Sequence, residues 1–240
     1  MTIAENVRYV RQQISAACAR AGRDPAAVTL VAVSKTQPPE AIIEAAAVGV
    51  QHFGENRVEE AGMKIPATTA QTDSPLVWHM VGHIQSRKAK DVPPLFQVVH
   101  SVDTFRLAAK LSGVMVERGG TLDVLLEVNT SGEATKSGIA ASGWDQDSGV
   151  RAQVWSDVQQ IVLLPGLNVR GLMAMAPIVA DMEQARPVFA GLAALRRALA
   201  DSLGIALPDL SMGMTDDYPV AIEEGATLVR IGRAIFGERL

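Results

Sequence analysis

Lys35 directly follows an apolar segment, residues 28–34, which predicts a buried strand. A lysine in that position starts inside the protein, where desolvation disfavours the ammonium form and lowers the lysine pKa. The neutral amine can attack an aldehyde carbon and form a Schiff base. The alternative is a strand-end lysine that pairs with Glu55 or Asp103. The position of Lys35 alone supports the reactive amine and the ion pair about equally.

A second set of residues is typical of a phosphate site. Ser211 and Gly213 end one predicted strand, and Gly232 and Arg233 end the next. Glycines let backbone N–H groups approach an anion closely, and a serine hydroxyl adds a donor. Arg233 either adds positive charge or caps a surface helix. These residues are a weak signal alone, but their place on the last two strands strengthens it because many barrels bind phosphate there.

His79 and His83 are four residues apart, a spacing that binds metal ions when it lies on a helix. They bracket the end of a predicted strand and have no acidic third ligand nearby, so we predict no metal site. Asp216 and Asp217 are predicted to cap a helix. Four methionines at strand ends are predicted as core residues that could also pack against a flat ring: Met173, Met175, Met212 and Met214.

Eight short apolar segments alternate with helical patterns along the chain. The predicted strands are residues 28–34, 51–54, 77–81, 98–102, 122–128, 169–174, 209–213 and 227–231. Helical patterns precede them at residues 1–22, where Thr2 and Glu5 form a capping box, and recur at 39–48, 104–118 and 182–203. Strands buried on both faces and joined by helices predict a parallel sheet. A single (β/α)8 TIM-type barrel with an extra N-terminal helix fits best, because no glycine-rich dinucleotide motif follows any strand.

The length and composition agree with one barrel domain. The chain has 240 residues, of which 48% are hydrophobic, so we expect one domain over residues 1–240, with the N-terminal helix at 1–22 and the barrel at 28–237. The net charge of −4 gives no reason to expect a nucleic-acid or membrane surface. Residues 140–149 are polar and glycine-rich and are predicted to form a mobile surface loop.

Cysteine usage and hydropathy indicate the compartment. Cys18 is the only cysteine, which excludes an intramolecular disulfide, and its place on the first helix predicts burial. The N-terminus is charged and amphipathic and has no signal-peptide pattern. We therefore expect a cytoplasmic protein. The sequence shows no strong apolar surface patch, so we expect a monomer.

Seven sequence blocks, in order, resemble the pyridoxal phosphate homeostasis protein family. The blocks are VAVSKTQP, FGENRVEEA, WHMVGHIQSRKAK, HSVD, VNTSGEATKSG, GLMAMAP and LSMGMTDDYPVAIEEGATLVRIGRAIFGER. They fall between Val28 and Gly237, and the family is similar to the N-terminal barrel of bacterial alanine racemase. The resemblance implies that the cofactor is pyridoxal 5′-phosphate (PLP).

The resemblance also implies roles for residues around the cofactor ring. Lys35 matches the lysine that forms the Schiff base, and Arg230 matches the arginine that faces the pyridine nitrogen. Asn56 matches a polar residue beside the cofactor, and Met173 matches one that packs near the ring. Lys136 matches a second lysine near the entrance of the site. Apart from the resemblance, His79 and His83 are possible secondary residues of the site.

The same resemblance implies a phosphate end of the site. Ser211 and Gly232 match phosphate contacts, with the Met212-Gly213 backbone nearby. Arg233 stands where other members of the family often have a small or hydroxyl residue, which leaves its contact with the phosphate open.

The implied site favours a carrier over an enzyme. A positive charge at Arg230 opposes protonation of the pyridine ring, and an unprotonated ring is a poorer electron sink. Racemisation also needs a second base opposite Lys35, and Tyr9 and Tyr218, the only tyrosines, lie in no catalytic block. We expect a protein that holds PLP and delivers it, with apo PLP-dependent enzymes as partners. The alternatives are an amino-acid racemase and a barrel enzyme that forms a Schiff base with a phosphorylated aldehyde.

Overall fold

The structure is a computed structural model that describes residues 1–72, 75–133, 136–177 and 179–237. Within these ranges the strands are β1 (Thr29–Val33), β2 (His52–Glu55), β3 (Val77–Met80), β4 (Val98–Val102), β5 (Leu122–Asn129), β6 (Ile139–Ala140), β7 (Leu167–Met173), β8 (Asp209–Ser211) and β9 (Leu228–Ile231). The α-helices are α1 (Ile3–Arg20), α2 (Pro39–Ala47), α3 (Val58–Thr69), α4 (Phe105–Arg118), α5 (Ser148–Val162), α6 (Arg186–Leu203), α7 (Tyr218–Glu223) and α8 (Arg233–Phe236). Each predicted strand therefore has a counterpart, with bounds that differ by up to two residues.

Eight of the described strands close into one parallel barrel. The order around the ring is β1, β2, β3, β4, β5, β7, β8, β9, and β9 pairs back with β1. The ring includes a β4–β5 pairing, and the short strand β6 lies outside it against the end of β5. The prediction of a TIM-type barrel is confirmed.

Helix α1 is the predicted extra N-terminal helix. The Thr2 hydroxyl accepts a hydrogen bond from the Glu5 N–H at 3.2 Å, and the Glu5 carboxylate accepts from the Thr2 N–H at 2.8 Å. These two bonds form the predicted capping box. Cys18 is fully buried on the inner face of the helix, as expected. Asn6 ties this helix to the end of α8 by donating to the Ile235 carbonyl at 2.8 Å.

The apolar core has two compartments. The larger one lies between the barrel wall and the helices, and the smaller one lies inside the barrel, around Val31, Leu125, Met173 and Leu228. The remaining buried positions inside the barrel include polar and charged side chains, Arg230 among them. Burying such groups requires hydrogen-bond partners. The polar side chains inside the barrel must therefore be hydrogen-bonded to partners there.

Most of residues 140–149 are exposed at the surface, as predicted, and the ends of the segment belong to β6 and α5. Their first residue belongs to β6, and the Asp147 carboxylate caps α5 by accepting from the N–H groups of Gly149 and Val150 at 2.7 and 3.1 Å. Trp144 packs against Trp155, with ring centroids 5.8 Å apart. The polar composition reflects helix capping. Along the described part of the chain, no helix has the length and apolar character needed to span a bilayer.

Candidate functional site

A cleft of about 670 Å³ opens at the carboxyl ends of the barrel strands. Its walls are formed by Val33, Lys35, Thr36, Gln37, Asn56, Val81, Met175, Met214, Thr215, Asp216, Arg230, Gly232, Arg233, Phe236 and Gly237. The volume lies within the range of about 300–1,000 Å³ that small-molecule and cofactor sites have. Apolar walls with a few charged groups are the usual composition of such sites.

The main chain on both sides of Lys35 is held by charged side chains of α3. The Lys64 ammonium donates to the Ser34 carbonyl at 2.8 Å, and the Thr36 N–H donates to the Glu60 carboxylate at 2.6 Å. Thr36 has φ of 64°, the one positive φ among the described non-glycine residues. A threonine in this region is strained and persists only where its surroundings fix it. Lys35 thus leaves β1 on a constrained backbone.

The contacts that hold the backbone on both sides of Lys35 come from a buried ionic cluster of Lys64, Glu55 and Glu60. Lys64 contacts Glu55 at 2.9 Å and Glu60 at 2.6 Å, and Glu55 also accepts the Ser34 hydroxyl at 2.6 Å. Burial raises the pKa of Glu55, which has no solvent exposure, against the opposing hydrogen bonds from Ser34 and Lys64. Burial also works against the charge of Glu60, but hydrogen bonds from Lys64 and from the Thr36 N–H outweigh it and lower the Glu60 pKa.

The two acids named as alternative partners of Lys35 have other partners. Glu55 is engaged by Lys64 and Ser34 as described, and Asp103 lies 3.3 Å from the His83 ring. His83 is 60% exposed at that position and does not line the cleft. Among the described residues, no group of three or more histidine, cysteine, aspartate or glutamate side chains is arranged to hold a metal ion.

Arg230 on β9 is a buried cation that faces the cleft. Its Nη1 donates to the Ser211 hydroxyl at 2.5 Å and its Nη2 to the Ala174 carbonyl at 3.0 Å. Burial lowers the pKa of Arg230 to about 10, against the raising influence of Asp217 and Glu127, so the guanidinium remains charged at neutral pH. Among the described residues, no carboxylate lies within 4.0 Å of it. Its partners are neutral, and its charge is left to act on whatever occupies the cleft.

Gly232 and Arg233 form the part of the cleft wall that follows β9, next to the end of β1. A Cβ on Gly232 would lie 3.1 Å from the Val33 carbonyl, so a glycine lets β9 approach β1 closely here. Arg233 pairs with Asp216 across the rim, where both side chains are more than half exposed. Asp217 occupies the N-cap position of α7, but its carboxylate accepts the Met214 N–H at 2.6 Å and makes no capping bond to the helix. The predicted N-cap position is thus occupied by Asp217 without a side-chain capping bond, and Asp216 pairs with Arg233.

Five predicted cofactor residues line the cleft together: Lys35, Asn56, Arg230, Gly232 and Arg233. The four other predicted residues do not line this cleft. Met173 belongs to the apolar cluster inside the barrel, and Met212 is buried in the outer core. The Ser211 side chain is fully buried, and its hydroxyl lies between Arg230 and His100. Gly213 has φ of 89° and packs against α7, where a Cβ would lie 2.6 Å from that of Ala221. Their contacts with a cofactor stay untested predictions.

The secondary candidates are separated by the fold. The Lys136 ammonium donates to the Met175 carbonyl at 3.0 Å, which places it beside a residue of the cleft wall, although Lys136 itself does not line the cleft. Residues 134 and 135 of the same sequence block lie outside the described residues. His79 lies inside the barrel, does not line the cleft, and hydrogen bonds to two other histidines. Of the four methionines named as ring contacts, Met175 and Met214 line the cleft.

Several residues of the site were not singled out from the sequence. Thr36 and Gln37 gave no signal beyond their place after Lys35, and Phe236 lies in a helical segment typical of core packing. The spacing of Glu60 and Lys64 indicates an exposed i,i+4 pair on a helix. The structure instead buries Lys64, because α3 packs this face against the end of β1.

Comparisons with known proteins agree with this architecture. Residues 2–240 match the family "Alanine racemase, N-terminal domain". A Pseudomonas aeruginosa protein named pyridoxal phosphate homeostasis protein is 45% identical over 238 residues, which cover 99% of this chain and 96% of that protein. The structure of PipY from Synechococcus elongatus with PLP bound has a TM-score of 0.83 at 34% identity and covers 98% of this chain and 100% of PipY. Alanine racemase from Clostridium difficile shares the fold at 12% identity, with a TM-score of 0.69, 98% of this chain and 57% of that one.

Proposed function

The chain belongs to the alanine racemase N-terminal domain family and, within it, to the pyridoxal phosphate homeostasis proteins, and on that basis we propose that it binds PLP and carries it. The observation that carries the proposal is one cleft that holds both Lys35 and the buried cation Arg230. When bound, PLP supplies an aldehyde and a conjugated pyridine ring that can accept electrons.

The residues of the cleft fit this cofactor. The Asn56 side-chain oxygen is buried without a hydrogen-bond partner, so it has a free acceptor for a hydroxyl donor. Arg230 offers a charged donor to a ring nitrogen and disfavours protonation of that nitrogen. These residues would hold PLP as follows: the Lys35 amine would condense with the aldehyde and release water, and Asn56 would accept a hydrogen bond from the ring hydroxyl. The backbone at Gly232 and the side chain of Arg233 would contact the phosphate.

A carrier role is supported by what accompanies Lys35 in the cleft. Among the described residues, the walls include no tyrosine, histidine or cysteine that could act as a second base. Tyr9 is 54% exposed on α1, and Tyr218 is buried on α7, where desolvation raises its pKa to about 12. The one carboxylate of the walls, Asp216, is paired with Arg233. Without a second base, removal of an α-proton on one face and its return on the other lack a catalyst.

The test is covalent capture of PLP by Lys35→Ala and by a matched control, Lys136→Ala. Purified protein is mixed with PLP, reduced with borohydride and mapped by mass spectrometry. We expect the modified peptide to carry the label on Lys35 in the wild type and in Lys136→Ala, and Lys35→Ala to remain folded without it. A wild-type label on Lys136 and none on Lys35 would refute the assignment.

We further propose that the recipients are apo enzymes that use PLP in the cytoplasm, and that the carrier is a monomer. The loaded protein is incubated with an apo PLP-dependent enzyme, and the activity of that enzyme is followed against an equal concentration of free PLP. Activation that persists when a PLP phosphatase destroys free cofactor supports delivery by the carrier. No activation under those conditions contradicts it.

A further inference from the structure

Five side chains form one continuous hydrogen-bond chain inside the barrel. Arg230 Nη1 lies 2.5 Å from Ser211 Oγ, and Ser211 Oγ lies 2.8 Å from His100 Nδ1. His100 Nε2 lies 2.8 Å from His79 Nδ1, and His79 Nε2 lies 2.9 Å from His52 Nδ1. The three links that involve histidine have the length of a well-formed hydrogen bond, and the Arg230–Ser211 link is shorter.

The chain connects the two ends of the barrel. Arg230 lines the cleft at the carboxyl ends of the strands, whereas His52, the first residue of β2, lines a second cavity of about 410 Å³ at the amino ends. The contact between Ser211 on β8 and His100 on β4 crosses the interior, because these strands are not neighbours in the ring. Such a contact is built by side chains that meet across the barrel, and backbone pairing does not dictate it.

The hydrogens in this chain can be assigned by counting donors. The Ser211 oxygen accepts from Arg230, and its own hydrogen has one acceptor among the described residues, His100 Nδ1. If His100 donated from Nδ1 instead, the Ser211 hydrogen would be buried without a partner, which costs about 1–3 kcal/mol. Ser211 is therefore the donor and His100 Nδ1 is the acceptor.

This direction of hydrogen bonding determines the tautomer of each histidine ring that follows in the chain. With Nδ1 as acceptor, neutral His100 has its hydrogen on Nε2 and donates to His79, and His79 in turn donates from Nε2 to His52. Each link then contains one hydrogen. A proton added to His79 or His100 would place two hydrogens in one link. Burial acts in the same sense, because it lowers the pKa of His79 to about 3 and that of His100 well below its ordinary value.

We propose that His100 is a positioning residue for Arg230, acting through Ser211, and that His79 and His52 hold His100 in the Nε2–H tautomer that this role requires. The Ser211 hydrogen is bound by His100, so the Ser211 lone pairs face Arg230. The guanidinium is thus fixed by a neutral partner, and its charge is not cancelled as it would be by a carboxylate. The proposal rests on the proposed function, because it concerns how Arg230 is presented to PLP.

The first part of the test uses the protein without cofactor. The chain has four histidines, and two-bond nitrogen–proton correlation spectra of protein with ¹⁵N-labelled histidine report the tautomer of each ring. Single variants assign the signals, with the exposed His83 as the reference ring. At neutral pH we expect His52, His79 and His100 to be neutral, with a hydrogen on Nε2. An Nδ1–H tautomer or an imidazolium at any of the three would overturn the proposal.

The second part separates the two ends of the His100 ring. His100→Asn keeps an acceptor near the position of Nδ1, whereas His100→Gln keeps a polar group near Nε2 and withdraws the acceptor from Ser211. We expect His100→Gln to weaken PLP binding at least tenfold, with a changed absorption spectrum, and His100→Asn to remain within about threefold of the wild type. Equal loss in both variants would overturn the positioning role.

Ser211→Ala keeps the test decisive if a His100 variant fails to fold, as judged by thermal unfolding. It removes the link itself with a loss of one oxygen atom, and we expect it to weaken PLP binding as His100→Gln does. Unchanged affinity in Ser211→Ala would refute the proposal. A wild-type protein that binds no PLP would instead refute the proposed function, and the tautomers measured without cofactor would still decide the direction of the chain.

Discussion

Replacement of Lys64 by methionine removes the cation from the buried cluster behind Lys35. Lys64 is 6% exposed and contacts three oxygens, those of Ser34, Glu55 and Glu60, at 2.6–2.9 Å. Methionine fills a similar volume but leaves Glu55, which is fully buried, without its ion-pair partner. Loss of one partner of a buried ion pair costs about 3–5 kcal/mol. Because folded proteins have about 5–15 kcal/mol of stability in total, we expect a folded but weakened variant.

The loss of stability should depend on pH. Burial raises the pKa of Glu55 in the folded protein, and removal of Lys64 raises it further because the attraction that favours the carboxylate is gone. A carboxyl with a raised folded-state pKa binds a proton more tightly in the folded than in the unfolded chain. Its contribution to stability is complete below the unfolded pKa of 4.5 and is lost as the pH rises through the folded pKa. The difference in stability between the variant and the wild type should therefore shrink as the pH is lowered from 8 to 4.

Urea unfolding at both pH values measures this difference. With a slope of about 3 kcal/mol per molar urea, the midpoint of Lys64→Met should fall by roughly 1–1.7 M at pH 8. Lys88→Met is the matched control, because Lys88 pairs with Glu59 on the surface and its removal should change the midpoint little. The double variant Lys64→Met/Glu55→Gln should recover part of the loss. A Lys64→Met midpoint equal to that of Lys88→Met would refute a stabilising role of the buried ionic cluster. So would a loss of stability that grows as the pH is lowered toward 4.

Three further outcomes follow from the geometry of the cleft. Gly82→Ala should lower stability by about 1–3 kcal/mol and weaken PLP binding, because its Cβ would lie 2.3 Å from the Asn56 carbonyl oxygen. Gly113→Ala is the control, since its open helical position should make the substitution stabilising by about 0.5–1 kcal/mol. Urea midpoints and PLP titrations compare the two variants. Arg230→Ala should weaken PLP binding about 10- to 100-fold in the same titration, the loss expected for a hydrogen bond from a charged donor. In D₂O, the loaded protein should exchange the α-proton of L-alanine far below the roughly 1–1,000 per second of typical enzymes, and exchange within that range by NMR would favour a racemase.

The sequence alone determined the barrel and the position of Lys35 at the end of its first strand. Eight apolar segments of strand length, separated by helical patterns, leave few arrangements other than a parallel barrel, because each strand must be covered on both faces. The ends of parallel strands meet at one edge, so Lys35 after the first strand and Gly232 after the last were bound to lie near each other. Local hydrogen bonding likewise made the Thr2–Glu5 capping box predictable.

The tertiary structure decided what the polar residues of the strands do. Alternation along a strand gives two faces, but the stagger of the closed ring sets the depth at which each residue lies inside the barrel. The Ser211 hydroxyl accepts a hydrogen bond from Arg230, and the His79 ring contacts His100. Lys64, spaced like a surface residue, is buried because α3 packs its face on β1. These contacts join residues distant in sequence, and no local pattern encodes distances that only barrel closure fixes.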